Sequence, residues 1–412
     1  MILFEQAEGV LKEMQEGFKN QVDQEKSAFW KLLEAKSDKV QGSKVKFSAQ
    51  VEEPQGVESR IGNDLPDASA GEYIEPEVST TRIYGVLEFD SKMLKAAEGS
   101  KAGMKAYVNH VEQEMKGLKN TFVKSMARQA MGSKTGFIAV CGTTSASLTV
   151  QLATTAMMRN LAKNQRIDIV YNTGATKGTA ITNGTKRIIQ AVDSANKTIT
   201  LDAAGGAVTT DSTMSVTRNK AYNAEMTGLA DIVSATTDIY GITTATYPRW
   251  KAYVHNEAAA LTIAKIAEIA LAAEVDCGEY TDLIVSSPKK MQQVWKLLTG
   301  ETTFDVANAK TPVENLGFGY YKISVMVDGQ MMQWISDKNC PEDRIYGIRK
   351  EDIGIQHLGS MSFMDIGGTI LLPNIYGTGG TASFKAVMEY YPEMITMRRN
   401  THWVWTGVLD AA

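Results

Sequence analysis

Residues 44–89 read KVKFSAQVEEPQGVESRIGNDLPDASAGEYIEPEVSTTRIYGVLEF and decide the fold. Apolar side chains alternate at both ends of this stretch, which is the two-residue period of a half-buried β-strand. The alternating residues are Val45, Phe47, Ala49 and Val51 at one end and Ile83, Gly85, Leu87 and Phe89 at the other. Gly, Pro, Asp and Ser are frequent between Glu52 and Glu77. The stretch therefore predicts an extended β-hairpin with a long acidic loop.

A long amphipathic helix is predicted to follow the hairpin and to end at Met131, over about 38 residues or about 57 Å. Its apolar stripe consists of Met104, Val108, Val111, Met115, Leu118, Phe122 and Met126. Gly132 is the expected left-handed stop. A compact chain of this length has a radius of gyration of only about 22 Å, and an isolated two-stranded hairpin is marginal in water. We therefore expect the hairpin to lie on another copy of the chain.

Composition excludes several classes of protein. The chain has 412 residues and a net charge of −4, so it lacks the positive charge of a nucleic-acid reader, although a protein that merely encloses DNA needs none. Its three cysteines, Cys141, Cys277 and Cys340, are far apart. They predict no disulfide framework and favour a reducing cytoplasm. No run approaches the ~18 apolar residues of a membrane span.

Signatures of catalysis are absent from the sequence. We find no phosphate-binding loop, no Gly-x-Ser-x-Gly elbow, and no His or Cys at the spacing of metal ligands. We therefore expect no catalytic, metal or cofactor-binding residues, no cofactor and no enzyme activity. Since folding brings distant residues together, a soluble enzyme with an unrecognised site stays open as an alternative.

The order of these segments resembles the major capsid proteins of tailed bacteriophages, which have the Hong Kong 97-type fold that encapsulins share. The strings that carry the resemblance are Leu65-Pro66 followed by Val78–Phe89, Lys119–Gly132 followed by GFIAV at 136–140, EMTGLADIV at 225–233, and Asp282–Lys290. The resemblance spans nearly the whole chain and implies an α+β fold. It implies a structural protein that assembles into pentamers and hexamers of an icosahedral shell enclosing double-stranded DNA. An encapsulin-like nanocompartment shell is the alternative.

The same resemblance implies a division of the chain into six segments. They are an N-terminal arm (1–43), the extended loop (44–91), a peripheral domain with the long spine helix (92–165), a small inserted β-barrel-like subdomain (166–223), an apical α/β domain (224–348) and a strand-rich return to the peripheral domain (349–412). Further helices are expected over Thr154–Asn164 and His255–Glu274. The apolar knot around Phe29 and Trp30 in the arm fits either its own domain or a neighbouring subunit.

The acidic loop is the main candidate for contact between subunits. Its charged residues are Glu52, Glu53, Glu58, Asp64, Asp67, Glu72, Glu75 and Glu77 against Arg60. We expect it to dock on a basic surface of the next subunit, for which Arg398-Arg399 and Lys119–Lys124 are the candidates. Phe29 and Trp30 complete the set of candidate contacts between subunits.

The resemblance also implies partners and a location. Because the chain opens almost directly on the arm, we expect a separate scaffolding protein, with a portal and a decoration protein as further partners. The DNA is enclosed without sequence-specific recognition, and no membrane is involved. The expected location is the virion capsid, after assembly in the cytoplasm of the bacterial host. Since residues 47–91 contain no lysine, we expect no covalent cross-link from the loop.

Overall fold

The computed structural model describes residues 28–33, 35–36, 39–52, 54, 56–57, 59, 67, 70–90, 101–154, 158–301, 323–327, 329–373 and 383–410. The predictions for the arm before Ala28, for most of the acidic loop and for the first residues of the long helix lie outside them. Within the described residues, no helix is both long enough and apolar enough to span a membrane.

The described elements are mainly strands. The helices are α1 (Ala28–Leu32), α2 (Lys101–Met131), α3 (Leu229–Ile232), α4 (Ile263–Cys277) and α5 (Pro288–Glu301), with 3₁₀ turns at Met158–Asn160, Ala203–Gly205, Pro248–Trp250 and Lys350–Asp352. The strands are β1 (Ala35–Lys36), β2 (Val40–Gln41), β3 (Lys44–Lys46), β4 (Ala49–Glu52), β5 (Glu72–Ile74), β6 (Glu77–Ser79), β7 (Ile83–Asp90), β8 (Phe137–Val140), β9 (Thr144–Ser147), β10 (Thr149–Gln151), β11 (Arg166–Tyr171), β12 (Arg187–Asp193), β13 (Thr198–Leu201), β14 (Val208–Thr210), β15 (Met214–Arg218), β16 (Tyr253–Ala260), β17 (Leu283–Ser286), β18 (Ile323–Val327), β19 (Gln330–Ser336), β20 (Arg344–Ile348), β21 (Ile353–His357), β22 (Ser362–Phe363), β23 (Leu371–Pro373), β24 (Ser383–Tyr390), β25 (Pro392–Thr396) and β26 (Trp403–Leu409).

A six-stranded mixed sheet in the order β16-β26-β20-β17-β19-β18 forms the α/β part of the chain. Helices α4 and α5 share one hydrophobic core with Trp334, Trp403 and Trp405 of this sheet. Neighbouring residues such as Leu283 and Val285 belong to a second core that also contains the buried face of α2. The sheet is therefore covered on both faces. Residues 253–260 form β16, so the helix expected over His255–Glu274 begins later, at Ile263.

Strand β7 pairs with the distant strand β24 and not with the hairpin. The two are antiparallel over eight residue pairs, from Ile83 opposite Tyr390 to Asp90 opposite Ser383. Helix α2 lies across the inner face, where Gly85 leaves room for Leu118 (a Cβ would lie 3.1 Å from its Cδ1). The predicted pairing of residues 45–51 with residues 83–89 is therefore wrong. Both strands have a period of two residues, and this period does not select a partner.

The hairpin is formed by β3 and β4 against β6 and β5. Its inner face is buried on its own chain, where Val45, Phe47, Ala49, Val51 and Val78 share a core with Ile242, Trp250 and Ile395. The ring of Phe47 packs edge-on against Tyr240 at a centroid distance of 5.5 Å. The expectation that the hairpin lies on another copy is therefore wrong for its base. Apolar alternation shows that one face of a strand is buried, but it does not identify the residues against which that face packs.

The inserted unit has its own hydrophobic core. Its main sheet has the order β10-β13-β12-β11-β15-β8, and a two-stranded sheet, β14-β9, accompanies it. Because β8, β9 and β10 belong to these sheets, the unit begins at Phe137 and not at the predicted boundary of residue 166. Of the helix expected over Thr154–Asn164, the described residues contain only the 3₁₀ turn Met158–Asn160.

Candidate functional site

Residues 225–233, which we call the link, join the inserted unit to the α/β part of the chain. Gly228 lies against the end of α2, where a Cβ would lie 2.1 Å from the carbonyl oxygen of Gly132 and 2.4 Å from that of Gln129. The N–H of Ala230 donates to the same Gly132 oxygen at 3.1 Å. Helix α2 ends before Gly132 as predicted, but Gly132 is not among the left-handed residues. The close approach of the link, and not a left-handed glycine, closes this helix end.

Arg399 holds the link from the C-terminal part of the chain. Its side chain is fully buried, and its guanidinium donates to the carbonyl oxygens of Asp231, Ile232 and Thr237 at 2.7–2.8 Å. Burial lowers the pKa of Arg399 to about 10. Because this guanidinium is committed to backbone inside the subunit, the prediction that Arg399 forms a docking surface is wrong.

A buried ion pair connects the long helix to the start of the link. The Arg128 guanidinium on α2 donates to the carboxylate of Glu225, and both side chains are almost fully buried. Arg218 of β15 lies close to this pair, and burial lowers the pKa of Arg218, with the charge of Arg128 adding to that effect. The negative charge of Glu225 thus acts on two arginines from different elements, on Arg128 through a direct ion pair and on Arg218 at longer range.

Two further buried carboxylates complete this junction. Glu393 of β25 accepts the N–H of Thr227 at 2.9 Å and the hydroxyl of Thr81 at 2.7 Å. Asp231 accepts the Ser133 hydroxyl at 2.7 Å and the N–H of Lys134 at 2.6 Å. Burial raises the pKa of both carboxylates. The link is thus the point where the helix end, the strand before β7 and the C-terminal strands are held together.

The described carboxylates at the base of the acidic loop contact their own chain. Glu52 lies 3.8 Å from the Arg249 guanidinium, and Glu72 accepts the hydroxyl of Tyr247 at 3.0 Å. Glu77 forms ion pairs with Lys44, at 2.7 Å, and with Lys46. These two lysines lower the pKa of Glu77 to about 2. The base of the loop is therefore neutralised within one subunit.

For the remaining charged residues of the acidic loop, contact with a neighbouring subunit stays a prediction. Glu75 and Asp67 have exposed side chains. Four of the candidate residues, Glu53, Glu58, Arg60 and Asp64, lie outside the described residues.

The predicted basic docking surfaces are not formed as pairs. Lys119 is only 6% exposed, and burial lowers its pKa, whereas Lys124 is exposed. Residues five apart on a helix lie ~140° apart around the axis, so the two lysines occupy different faces. Arg398 is partly exposed and donates to Glu279 at 3.0 Å, while Arg399 is buried. The prediction that Lys119 and Arg399 form exposed docking surfaces is therefore wrong.

The aromatic pair of the arm packs inside its own subunit. Phe29 and Trp30 of α1 are buried in the main core together with the inner face of α2. Of the two readings that the sequence left open for this knot, the packing favours its own domain. Phe29 and Trp30 are therefore wrong as candidates for contact between subunits.

The structure exposes apolar surfaces that sequence reasoning missed. On the face of β7 opposite to α2, Tyr84 and Val86 are about half exposed. Val387 lies opposite Val86, and the Tyr391 ring is 6.2 Å from that of Tyr84. The alternation of Arg82, Tyr84, Val86 and Glu88 between buried residues was the available signal. Such exposed apolar faces mark association surfaces.

A second exposed apolar pair lies at the edge of the α/β sheet. Met326 of β18 and Met331 of β19 are directly opposite each other, and each is more than 60% exposed. The two strands form a hairpin, in which Gly329 has a φ of 77°. This edge therefore offers soft apolar side chains for contact with another molecule.

Two buried titratable groups in the described part of the chain, His402 and Cys141, have strongly shifted pKa values. No group of three His, Cys, Asp or Glu residues there could hold a metal ion. Burial lowers the pKa of His402 to about 3 and raises the pKa of Cys141 to about 12, so both are held neutral. The arrangement fixes the shape of the subunit and presents apolar and acidic surfaces.

The fold is shared with a subunit of a viral shell. The chain superposes on a protein of the cyanophage A-1(L) capsid asymmetric unit with a TM-score of 0.51 and 14% identity, over 93% of each chain. This likeness confirms the predicted α+β fold of the Hong Kong 97 type. A capsid chain of a native GTA particle (TM-score 0.45, 7% identity, 91% of this chain and 88% of that one) and the SrpI encapsulin of Synechococcus elongatus PCC 7942 (TM-score 0.39, 8% identity, 92% and 88%) superpose less well and add nothing to the argument. No family model matches the sequence, and no curated protein matches it.

Proposed function

We propose that this chain is the major capsid protein of a tailed bacteriophage. It is a structural protein, not an enzyme, and its copies form pentamers and hexamers of an icosahedral shell around double-stranded DNA. The observation that carries the proposal is the end-to-end fold likeness to a cyanophage capsid subunit, over 93% of both chains. A net charge of −4 suits a container that encloses DNA without reading its sequence.

The arrangement of the exposed surfaces supports assembly. A closed shell needs several different contacts on each subunit, because each copy meets neighbours of different orientation. The outer face around Tyr84 and Val86, the edge around Met326 and Met331, and the acidic loop provide three such surfaces on separate elements. The junction at the link holds these elements in one fixed geometry. Donation to a neighbour is confined to the loop beyond Glu52, because the hairpin base is buried on its own chain.

Domain organisation and partners follow from the same proposal. The arm, loop, peripheral, inserted, apical and return segments stay as predicted, with the inserted unit widened to begin at Phe137. The chain works with a separate scaffolding protein, a portal and a decoration protein. Assembly takes place in the cytoplasm of the bacterial host, and the mature location is the virion capsid.

Electron microscopy of the purified full-length chain tests the proposal. The expected result is closed particles of uniform diameter, and the expected content of particles from infected cells is nuclease-resistant double-stranded DNA. A chain that stays monomeric at high concentration, with and without its scaffolding protein, contradicts the shell function. Particles whose cargo is protein identify a nanocompartment instead.

A further inference from the structure

The inserted unit differs in charge from the rest of the chain. Whereas the whole chain carries −4, the part of this unit from residue 166 to residue 223 contains seven basic and four acidic residues. The basic residues are Arg166, Lys177, Lys186, Arg187, Lys197, Arg218 and Lys220, and the acidic ones are Asp168, Asp193, Asp202 and Asp211. A locally basic unit in an acidic protein indicates a surface for an acidic partner.

Asp168 holds two of the exposed lysines side by side. Its buried carboxylate accepts the backbone N–H of Lys186 and that of Lys220, each at 2.7 Å. It also accepts the side-chain amide of Asn219 at 2.8 Å. Both lysines have left-handed backbones, with φ of 53° and 59°, and both side chains are exposed. One carboxylate therefore fixes the backbone from which two ammonium groups project.

Aromatic packing brings a third lysine to the same side of the unit. The Lys177 ammonium lies 6.0 Å from the centroid of the Phe137 ring, which packs against Tyr222 at 5.9 Å. Gly178 lets the Tyr222 ring approach the loop, since a Cβ there would lie 2.0 Å from Cε1 of that ring. Because Tyr222 follows Lys220 by two residues, these contacts place Lys177 beside the segment that carries Lys220.

We call this surface the lysine face and define it as Lys177, Lys186 and Lys220 around Phe137 and Tyr222. The side chain of Lys134, three residues before Phe137, is also exposed. Two other basic residues of the unit have internal roles. Arg187 is buried and pairs with Asp202, and Arg218 lies near the buried pair of the link. The lysine face therefore consists of three exposed lysines of the unit, and the other exposed basic residues between residues 166 and 223, Arg166 and Lys197, lie outside this definition.

The acidic loop is the complementary segment of this chain. Residues 53–71 contain Glu53, Glu58, Asp64 and Asp67 against the single Arg60. They follow Glu52, whose nearest basic partner Arg249 lies at the far end of the hairpin from Glu77. A chain of nine or ten residues can span at most about 30 Å when fully extended.

The end of the hairpin that carries the loop is not the end beside the lysine face of the same copy. Glu77 and Val78, at the near end of the hairpin, line one cavity with Lys134 and Asn223 of the region beside the lysine face. From there, strands β3 and β4 lead to Glu52, whose carboxylate lies 3.8 Å from the Arg249 guanidinium at the other end of the hairpin. This arrangement favours the lysine face of a different copy as the partner of the loop.

We propose that the lysine face of the inserted unit is the docking surface for the acidic loop of a second copy of this chain. This proposal rests on the proposed function, because the loop of one copy can meet the lysine face of another copy only when the chains assemble. It assigns the inserted unit a bracing role between subunits, and it replaces the buried Lys119 and Arg399 as the basic partner of the loop.

Zero-length cross-linking of mixed isotopes tests the contact directly. Unlabelled and nitrogen-15-labelled full-length chains are assembled together and treated with a carbodiimide, which joins lysines to carboxylates in contact. The expected products join Glu58, Asp64 or Asp67 to Lys177, Lys186 or Lys220, with labelled and unlabelled peptides in the same product. Products with a single isotope pattern, or particles without cross-links to these lysines, overturn the proposal.

Charge reversal tests the same contact without assembly. A peptide of residues 52–72 is titrated with the full-length chain at low salt, and its fluorescence anisotropy is measured. Combined replacement Lys177→Glu, Lys186→Glu and Lys220→Glu is expected to weaken binding at least about tenfold. The matched control is Lys197→Glu, because Lys197 is also exposed with a left-handed φ of 56°. It lies beyond the opposite end of β12, about 23 Å from Lys186, and is expected to leave binding within twofold.

A mixing experiment separates the two proposals. Two variants are each expected to form shells poorly: the chain with the reversed lysine face, and the chain with Glu58→Lys, Asp64→Lys and Asp67→Lys. A mixture of the two variants is expected to restore assembly, because each reversed surface then meets a surface of opposite charge. Normal shells and unchanged peptide binding in the lysine variant overturn the docking proposal but leave the shell function intact. Failure of the wild-type chain to form shells rejects the shell function, and the peptide titration still tests docking. Loss of duplex-DNA binding with unchanged peptide binding assigns the face to nucleic acid and overturns the proposal.

Discussion

Replacement of Gly228 by alanine is predicted to be among the most damaging single-methyl changes in this chain. The added Cβ would lie 2.1 Å from the Gly132 oxygen and 2.4 Å from the Gln129 oxygen, both backbone atoms. The link must therefore move away from the end of α2. Overpacking costs about 1–3 kcal/mol, and loss of the hydrogen bond from Ala230 to Gly132 adds about 1 kcal/mol. We expect a loss of about 3 kcal/mol.

The assay is thermal unfolding of the purified full-length subunit. At roughly 1.2 °C per kcal/mol for a chain of this length, Gly228→Ala is expected to lower Tm by about 3–4 °C. The matched control is Gly117→Ala on the exposed side of the same helix, where a Cβ meets nothing within 4 Å. Because alanine favours a helix interior by about 1 kcal/mol over glycine, the control is expected to raise Tm slightly. Equal Tm values for the two variants would refute the close-packing argument.

Three further perturbations probe the same junction and the hairpin base. Glu225→Gln is expected to cost about 3–5 kcal/mol and more than Arg128→Met, because the former leaves Arg128 and Arg218 without their shared carboxylate; urea denaturation of each variant measures the difference. Burial raises the pKa of Glu393 in the folded chain above its value in the unfolded chain. Ionisation of Glu393 therefore lowers the free energy of unfolding as the pH rises from the unfolded-state pKa towards the folded-state pKa. In Tm measurements from pH 4 to pH 9, the advantage of Glu393→Gln over the wild type is expected to grow with pH. Phe47→Ala is expected to cost about 3 kcal/mol and to speed hydrogen exchange in β3 and β4.

Each of these expectations has a contradicting outcome. Equal costs for Glu225→Gln and Arg128→Met would show that Arg218 takes no part in the charge balance. A Tm difference between Glu393→Gln and the wild type that does not change with pH would show that Glu393 has an ordinary pKa in the fold. Unchanged exchange in Phe47→Ala would show that the hairpin base does not depend on its contact with Tyr240.

The wrong predictions of residues for contact between subunits have a common cause. Neighbouring residues of the same charge, such as Arg398 and Arg399, look equivalent in sequence. In the structure one donates to Glu279 near the surface, and the other is enclosed by three backbone carbonyl groups. The lysine face could not be predicted from the sequence either. Its residues Lys177, Lys186 and Lys220 come together only through the carboxylate of Asp168 and the ring of Tyr222.

The order of segments was readable because it depends on local chemistry. Alternation marked β7 and the hairpin strands, and the helical stripe marked α2. These signals depend on backbone sterics and on the two periods of strand and helix, which act between near neighbours in the chain. With the resemblance they were sufficient to predict the α+β capsid-type fold.

Sequence by itself thus determined which segments are strands and helices and which side chains of each must be covered. Only the tertiary structure decided what covers them: β24 for the edge of β7, Tyr240 and Trp250 for the hairpin, and the link for the end of α2. The physical reason is that apolar burial has no direction of its own. Partners far apart in the chain are selected by shape, by space at residues such as Gly228, and by buried charges that must be paired.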